Sequence, residues 1–227
     1  MEAHVATEHL TPTIEDYLGV IYTLERDGEA VIGARLAELM DVSAPTVTAT
    51  LKRMIRDGWI EFGVGKNVRL TEQGLEAAKN VLSKHMLSEW LLADVLDVSW
   101  AETHEQAHMM EHSISDELVE KMRKRLNEPE TCPHGNPLPG HEDVIKAWKK
   151  LTDVAAGTKL IIRRIHEHAE DNPELLQYLE QKNVLPGVEA EVVSVLDFNK
   201  TVSLKMGETT VALGTSIAKY IYAEVVD

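Results

Sequence analysis

At 227 residues, 44% of them hydrophobic and 27% charged, the chain has ordinary globular composition and room for two or three small domains. A formal net charge of -15 argues against a general nucleic-acid binder, because phosphate contacts need Lys and Arg. A single cysteine, Cys132, excludes an intrachain disulfide and a Cys-rich zinc site. No apolar run approaches the ~20 residues that span a bilayer, and the opening MEAHVATEHLTP lacks the basic and apolar regions of a signal peptide. The expectation is a soluble, cytoplasmic protein with no membrane partner.

The first predicted element follows Thr11-Pro12, with a Thr cap, early Pro and Glu15 and Asp16 in the first turn. Ile14, Tyr17, Leu18, Ile21, Tyr22 and Leu24 give it one apolar stripe, and Asp27-Gly28 ends it. A short second helix covers Ile32 to Met40, with Leu36, Ala37, Leu39 and Met40 inward. After the turn Asp41-Val42-Ser43, Ser43 caps a third helix that tolerates Pro45 in its first turn. Val47, Leu51, Met54 and Ile55 form its inward face. Trp59 to Phe62 and Val68 to Leu70 read as two strands joined through Gly63, Gly65, Lys66 and Asn67, the shape of a wing.

Thr71 caps a long helix in which Gly74 is a weak point, and helical character runs on to about Arg125. Leu82, Met86, Leu87, Trp90, Leu91, Val95 and Leu96 make an apolar surface wide enough to serve partly as a dimer interface. The CPHGNPLPG stretch, Cys132 to Gly140, stops the helices, and residues 141–157 read as a short helix and linker. The period then changes. Strands are predicted at Lys159 to Ile165, Glu189 to Leu196, Thr201 to Met206, Glu208 to Ala212 and Tyr220 to Val226, with a short helix over 173–182. Five short strands suggest a small, partly open barrel.

Residues 31–70 have the order of a winged helix-turn-helix, which inserts the N-terminus of its third helix into the major groove. Ser43, Thr46 and Thr48 offer hydroxyls to base edges or phosphates, and Ala44 and Pro45 offer apolar contact to thymine methyls. Lys52, Arg53, Lys66 and Arg69 read as phosphate contacts, which position rather than specify. Over residues 43–69 there are five basic side chains against two acidic ones, so the overall acidity does not extend here. Elsewhere it keeps the protein soluble and holds it off DNA until bound cations lower the repulsion.

His104, His108, Glu111 and His112 fall at i, i+4, i+7 and i+8, one face of one predicted helix. They span two turns and cannot all reach one ion. His108, Glu111 and His112 can converge on a first ion, for which Asp16 is a candidate fourth ligand. His104 is left to a second site with His85 and Glu89, themselves at i, i+4. Imidazole and carboxylate without thiolate suit Mn(II), Fe(II), Co(II) or Zn(II). His4, His9 and His134 have no comparable partners in the sequence, and Cys132 reads as structural or incidental.

The chain resembles the diphtheria toxin repressor family of iron- and manganese-dependent transcriptional repressors. The motifs that carry the likeness are TIEDYLGVIYTLE, VSAPTVTATLKRMIRDGWI, RLTEQG, KHMLSEWLL, HEQAHMMEHSISDEL, GNPLPG and the tail PGVEAEVVSVLD, in that order. The resemblance implies a mainly α protein with a small β barrel. Residues 1–73 would be a winged helix-turn-helix domain, 74–145 a helical metal-binding and dimerisation domain, and 146–227 a linker and SH3-like (FeoA-like) domain. It implies a homodimer that binds palindromic operator DNA when loaded with metal and represses metal-uptake genes. The primary site falls on Asp16, His108, Glu111 and His112. The ancillary site falls on His85, Glu89 and His104, with Glu167 and Glu170 contributed by the third domain.

The likeness has two departures. His108 stands where iron sensors have Cys and manganese sensors Glu, and Gly19 stands where some manganese sensors supply a second carboxylate. The resulting expectation is Mn(II) slightly ahead of Fe(II), with Co(II) or Zn(II) substituting in vitro and no small organic ligand. The alternatives are a winged-helix regulator whose metal sites are only structural, a winged-helix protein used only for assembly, and a metal-dependent enzyme. No HExxH motif, Gly-rich phosphate loop or nucleophile elbow supports the last.

Overall fold

A computed structural model describes residues 10–226, apart from the side chain of Lys66. The chain divides into two units, Met1–Lys84 and His85–Asp227.

In the N-terminal unit, helix α1 (Pro12–Arg26) starts at Thr11, whose side chain makes no cap hydrogen bond. Its hydroxyl instead accepts from Arg53 at 3.4 Å. Helices α2 (Gly33–Leu39) and α3 (Ala44–Arg56) follow. The Ser43 hydroxyl accepts from the Thr46 backbone N–H, so this predicted cap is formed. Val47, Leu51 and Met54 of α3 are buried with Ile14, Tyr17, Leu18 and Ile21 of α1 and Leu36 of α2. Ile55, expected inward, is 36% exposed, because it lies beyond the edge of the Val47–Leu51–Met54 stripe. Strands β1 (Ile60–Phe62) and β2 (Val68–Leu70) pair antiparallel, with Phe62 opposite Val68, and form the wing.

Helix α4 (Glu72–Trp90) begins at Thr71, whose hydroxyl accepts from the Gly74 N–H at 3.0 Å. Gly74 is required there: a Cβ would stand 1.9 Å from the Trp59 carbonyl oxygen. The division between the two units falls within this helix.

The helical run of the C-terminal unit is more broken than its sequence suggested. A π-helical turn occupies Leu91–Val95 and a 3-10 turn Trp100–Glu102. Helix α5 (Thr103–Met110) gives way to a 3-10 turn at Glu111–Ser113, and α6 (Asp116–Arg125) starts from a Ser115 cap. Of the broad apolar surface, Met86 and Leu87 are core residues, whereas Val95 and Leu96 remain exposed.

A six-stranded antiparallel sheet follows, built from β3 (Lys149–Lys150), β4 (Lys159–Ile165), β5 (Glu189–Leu196), β6 (Thr201–Met206), β7 (Thr209–Gly214) and β8 (Ile221–Val225). Its order is β3-β8-β4-β5-β6-β7. The two-residue β3, from the segment read as linker, is the strand the sequence missed. Helices α7 (Glu167–Glu170), α8 (Pro173–Gln181) and α9 (Thr215–Ala218) complete the unit. Leu160, Ile162, Val192, Val202, Leu204, Leu213, Ile221 and Ala223 fill the core.

One feature of this unit positions chemistry. The Cys132–Asn136 turn closes on itself through Cys132 N–H to the Asn136 carbonyl at 2.8 Å, and docks on β4 through Ile165 N–H to the His134 carbonyl at 2.8 Å. Strand β4 is irregular here, with a register shift against β8 between Ile162 and Arg164. Gly135 sits at φ 89° against this strand, where a Cβ would come 1.9 Å from the Arg163 carbonyl oxygen. Gly135→Ala should therefore lower the unfolding free energy by more than about 2 kcal/mol, read by denaturant titration of the metal-free protein.

Candidate metal centres and DNA-reading helix

Three carboxylates of the C-terminal unit are almost excluded from water: Glu89 at 0% exposure, Glu111 at 4% and Glu170 at 3%. A buried carboxylate is costly unless paired or coordinated. Each of these is faced by imidazoles, and helix periodicity explains part of the arrangement. His85 and Glu89 are one turn apart on α4. His104 and His108 are one turn apart on α5, and the following 3-10 turn brings Glu111 and His112 to the end of the same surface.

In the first group, His108 Nδ1 lies 3.2 Å and His112 Nε2 3.5 Å from Glu111 Oε1. The His108 and His112 rings are 5.8 Å apart. Glu111 Oε2 faces His85 Nδ1 at 2.5 Å. Burial acts to raise the Glu111 pKa, but hydrogen bonds from His108 and His85 outweigh it and hold the carboxyl at about 2. Asp16 belongs to α1 of the N-terminal unit.

The second group gathers round Glu89 and Glu170. His85 Nε2 is 3.2 Å from Glu89 Oε1 and 3.0 Å from His104 Nδ1. His104 Nδ1 is 3.3 Å from Glu89 Oε1 and 2.9 Å from Glu170 Oε2. Of the two glutamates expected from the third domain, only Glu170 joins this group. Glu167, three residues earlier on α7, accepts from the buried Arg164 guanidinium at 2.8 Å instead.

Sequence reasoning missed His134 and Cys132. Both are buried, and with Glu89 they form a further group of potential ligands. His134 Nδ1 is 3.2 Å from Glu89 Oε1 and 3.8 Å from Glu170 Oε1. The two residues are far in sequence from α4 and α7, so no helical spacing announced them. The CPHG turn was visible, but not the fact that it docks beside Glu89.

All three imidazoles around Glu89 share one arrangement. The outer nitrogen has an acceptor: Glu111 for His85 Nδ1, Asp171 at 3.5 Å for His104 Nε2, and the Trp100 carbonyl at 3.2 Å for His134 Nε2. These partners assign the outer nitrogen as the N–H and turn the inner lone pair toward the carboxylates. This is how imidazoles are oriented around a metal ion, their second nitrogen held by an outer hydrogen bond. Lone pairs aimed at carboxylate oxygens repel unless a cation or proton stands between them. Nitrogen and oxygen donors with open approach to one point fit a divalent first-row ion.

The electrostatics agree with that need. Burial works against the charged form of His85, but the Glu89 charge and the hydrogen bond to Glu111 lift its pKa to about 9. Burial likewise opposes His104, which Asp171, Glu170 and Glu89 raise well above the ordinary value. Burial acts to raise the pKa of Glu89, and the His134 and His85 charges hold it well below the usual carboxylate range.

On the DNA side, Ser43, Ala44, Pro45, Thr46 and Thr48 are all exposed at the start of α3, and Lys52, Arg53 and Arg69 are exposed nearby in the sequence of the same unit. The Ser43 and Thr46 hydroxyls lie 2.8 Å apart, and Thr48 donates to the Ala44 carbonyl at 2.9 Å, a local bond that water or a base can replace. The side chain of Lys66 lies outside the described residues. The buried face of α3 carries the core, so its polar N-terminal face is the one available to a groove.

A winged helix joined to a helical segment rich in metal-type ligands and followed by a small sheet has the parts a metal-dependent DNA-binding repressor needs. Comparison with known proteins agrees. Residues 9–66 match the family described as "Iron dependent repressor, N-terminal DNA binding domain". Residues 71–140 match "Iron dependent repressor, metal binding and dimerisation domain", and 149–225 match the FeoA domain. The chain is 36% identical over 194 residues to the iron-dependent repressor IdeR of Mycobacterium tuberculosis, covering 81% of this chain and 84% of that protein. It is 32% identical over 193 residues to the diphtheria toxin repressor of Corynebacterium diphtheriae, covering 81% and 85%. Among solved structures it superposes on a manganese-dependent transcriptional repressor in complex with manganese, with a TM-score of 0.83, 28% identity and coverage of 94% and 100%. ScaR with bound Zn2+ gives a TM-score of 0.78, 31% identity and coverage of 94% and 99%. The chain belongs to the diphtheria toxin repressor family of iron-dependent repressors, and the matched DNA-binding and dimerisation domains indicate operator DNA and a second copy of the chain as partners. No helix among the described residues is long and apolar enough to cross a membrane.

The shifted pKa values set the pH response of the metal-free fold. His85 is raised from 6.5 to about 9, so its contribution to stability is fully present below pH 6.5 and is lost as pH rises through about 9. Glu111 is lowered from 4.5 to about 2, so its contribution is fully present above pH 4.5 and is lost as pH falls through about 2. Thermal melts in chelator should show a falling midpoint between pH 7 and about 9, and His85→Gln should flatten that alkaline limb.

Proposed function

We propose that this protein is a repressor of metal-homeostasis genes, activated by Mn(II) slightly in preference to Fe(II). The observation that carries the reading is the convergence of oriented imidazoles on buried carboxylates in a chain that also holds a winged helix. The names of its relatives point the same way but divide on the metal: IdeR is called iron-dependent, and SloR a manganese regulator. The preference for Mn(II) rests on the donor set. Carboxylate oxygen, Asp16 included, stands in place of a thiolate that would favour softer ions, while the His108 nitrogen adds nothing to the preference and keeps it slight.

The primary site in this reading is Asp16, His108, Glu111 and His112. The ancillary site is His85, Glu89, His104 and Glu170, with Glu167 left to its pairing with Arg164. Residues 1–73, 74–145 and 146–227 act as the reading head, the metal-binding and dimerisation body, and the SH3-like module. When bound, the ion supplies positive charge that both α1 and the end of α5 can share. Asp16 then fixes α1, and hence α3, in the spacing a palindromic operator requires across the homodimer, about one helical turn of DNA or a multiple of it. Ser43, Ala44, Pro45, Thr46 and Thr48 read the groove, while Lys52, Arg53, Lys66 and Arg69 hold phosphates.

The His85 ring gives the two sites a common part. One nitrogen faces Glu111 of the first group and the other faces Glu89 and His104 of the second. Filling the ancillary site therefore orients a ligand of the primary one. Coupling between metal and DNA is reciprocal, so operator DNA tightens metal binding by the same factor as metal tightens operator binding.

The test is a gel shift on operator DNA from upstream of a metal-uptake gene, with Mn(II), anaerobic Fe(II) or chelator. Mn(II) should tighten binding by roughly 5- to 150-fold. Asp16→Ala or Glu111→Ala should erase that gain while the dimer still elutes at its normal volume. Binding unchanged by chelator would favour metal sites that are only structural.

A further inference from the structure

The Cys132–Asn136 turn brings a second set of ligand-type side chains beside the two carboxylates of the ancillary site. Glu170 Oε2 faces His104, whereas its Oε1 faces His134. Glu89 Oε1 is close to His85, His104 and His134, and Glu89 Oε2 is buried with no hydrogen-bond partner. His134 Nδ1 is likewise buried without a hydrogen bond, and Glu89 Oε1 is 3.2 Å away. Its other nitrogen is held by the Trp100 carbonyl at 3.2 Å, which leaves the Nδ1 lone pair aimed at the carboxylates. The Cys132 sulfur completes a group of three wholly buried ligand atoms within 4.8 Å of one another.

We propose that Glu89 and Glu170 bridge two ions, one held by His85 and His104 and the other by Cys132 and His134. The proposal rests on the ancillary site described above being a metal site. Each carboxylate has two oxygens to share, and carboxylate-bridged pairs of ions stand about 3.5–4 Å apart. The second position differs in kind from the first. Glu89, Cys132 and His134 offer it a sulfur, a nitrogen and carboxylate oxygen, with Glu170 Oε1 3.8 Å from His134, which suits a borderline-soft ion, Zn(II) or Co(II) before Mn(II). Burial keeps metal-free Cys132 a thiol, so uptake forms a sulfur–metal bond, breaks the S–H bond and releases that proton to solvent. No electron is transferred.

The surroundings are built to hold this position. Asn136, fully buried, donates to Glu170 Oε1 and to the Ile165 carbonyl, and accepts from Arg164 Nε. That fixes the carboxylate plane and leaves its remaining lone pairs for an ion. Arg164 is in turn anchored by Glu167 and lies 4.9 Å from the centre of the Tyr222 ring. Of the two glutamates that the sequence suggested as ligands, Glu167 thus anchors the arm that carries Glu170.

The experiment is a Co(II) titration of the metal-free full chain without DNA, read by absorption and by bound cobalt per protomer. A thiolate ligand gives cobalt a near-ultraviolet charge-transfer band. Wild type should show that band, and Cys132→Ser should lose it and bind one Co(II) fewer. His134→Gln, checked like the first variant for a native circular dichroism spectrum, should also bind one fewer. His85→Ala should keep the band, since it removes no ligand of the sulfur-bound ion. No band in wild type, or equal cobalt in wild type and Cys132→Ser, overturns the proposal. A band in wild type with no drop in the count means one ion alternating between positions, which overturns the bridged pair. Failure of the ancillary site itself reads differently: His85→Ala would then bind as much cobalt as wild type.

Discussion

The buried carboxylates Glu89, Glu111 and Glu170 are the constraint from which the rest of the C-terminal unit follows. Three negative charges almost out of water are tolerable only if positive charge or directed N–H groups meet them. The chain supplies imidazoles, which can carry a proton when no ion is present and lend a lone pair when one is. In the metal-free fold, raised imidazole pKa values supply the positive charge that meets these carboxylates. Where such a group does bind a metal, proton and ion compete for the same lone pairs.

The architecture delivers these groups from separate parts of the sequence. Helix α4 brings His85 and Glu89, α5 brings His104 and His108, and the 3-10 turn after it aims Glu111 back at His85. The irregularity of β4 and the glycine pressed on its backbone seat the turn that carries Cys132, His134 and Asn136. Helix α7, immediately after β4, places Glu170 on the same centre. The small sheet is therefore more than an appendage: one of its connections carries a carboxylate that the helical segment lacks. In the N-terminal unit the logic is simpler, with an apolar core under α3 and short hydroxyls on its free face.

The sequence made local, periodic features legible. The α1 stripe, the Ser43 cap, the wing pair and the ligand spacing on α4 and α5 all follow from i, i+4 arithmetic or turn chemistry. Less was legible where the outcome depended on tertiary docking. Helical character past α4 looked continuous, but the chain breaks it at Leu91–Val95 and again at Glu111, where a 3-10 turn carries the buried carboxylate. Glu167 and Glu170 are equivalent by spacing, and only the buried Arg164 separates them by claiming one. His134 looked partnerless since its partners lie 45 residues before and 36 after it in the chain. Gly74 looked like a helix weakness, yet it is the residue that lets α4 start against the Trp59 carbonyl.

If protons stand in for metal at these carboxylates, a calorimetric proton inventory will register their release. Mn(II) would be titrated into metal-free protein at pH 7 in two buffers of equal ionic strength but different ionisation enthalpy. The heats should differ between the buffers in proportion to protons released from His85, His104 and His134. Identical heats, with Mn(II) bound in both, would mean that the imidazoles were already neutral and that protons do not stand in for metal.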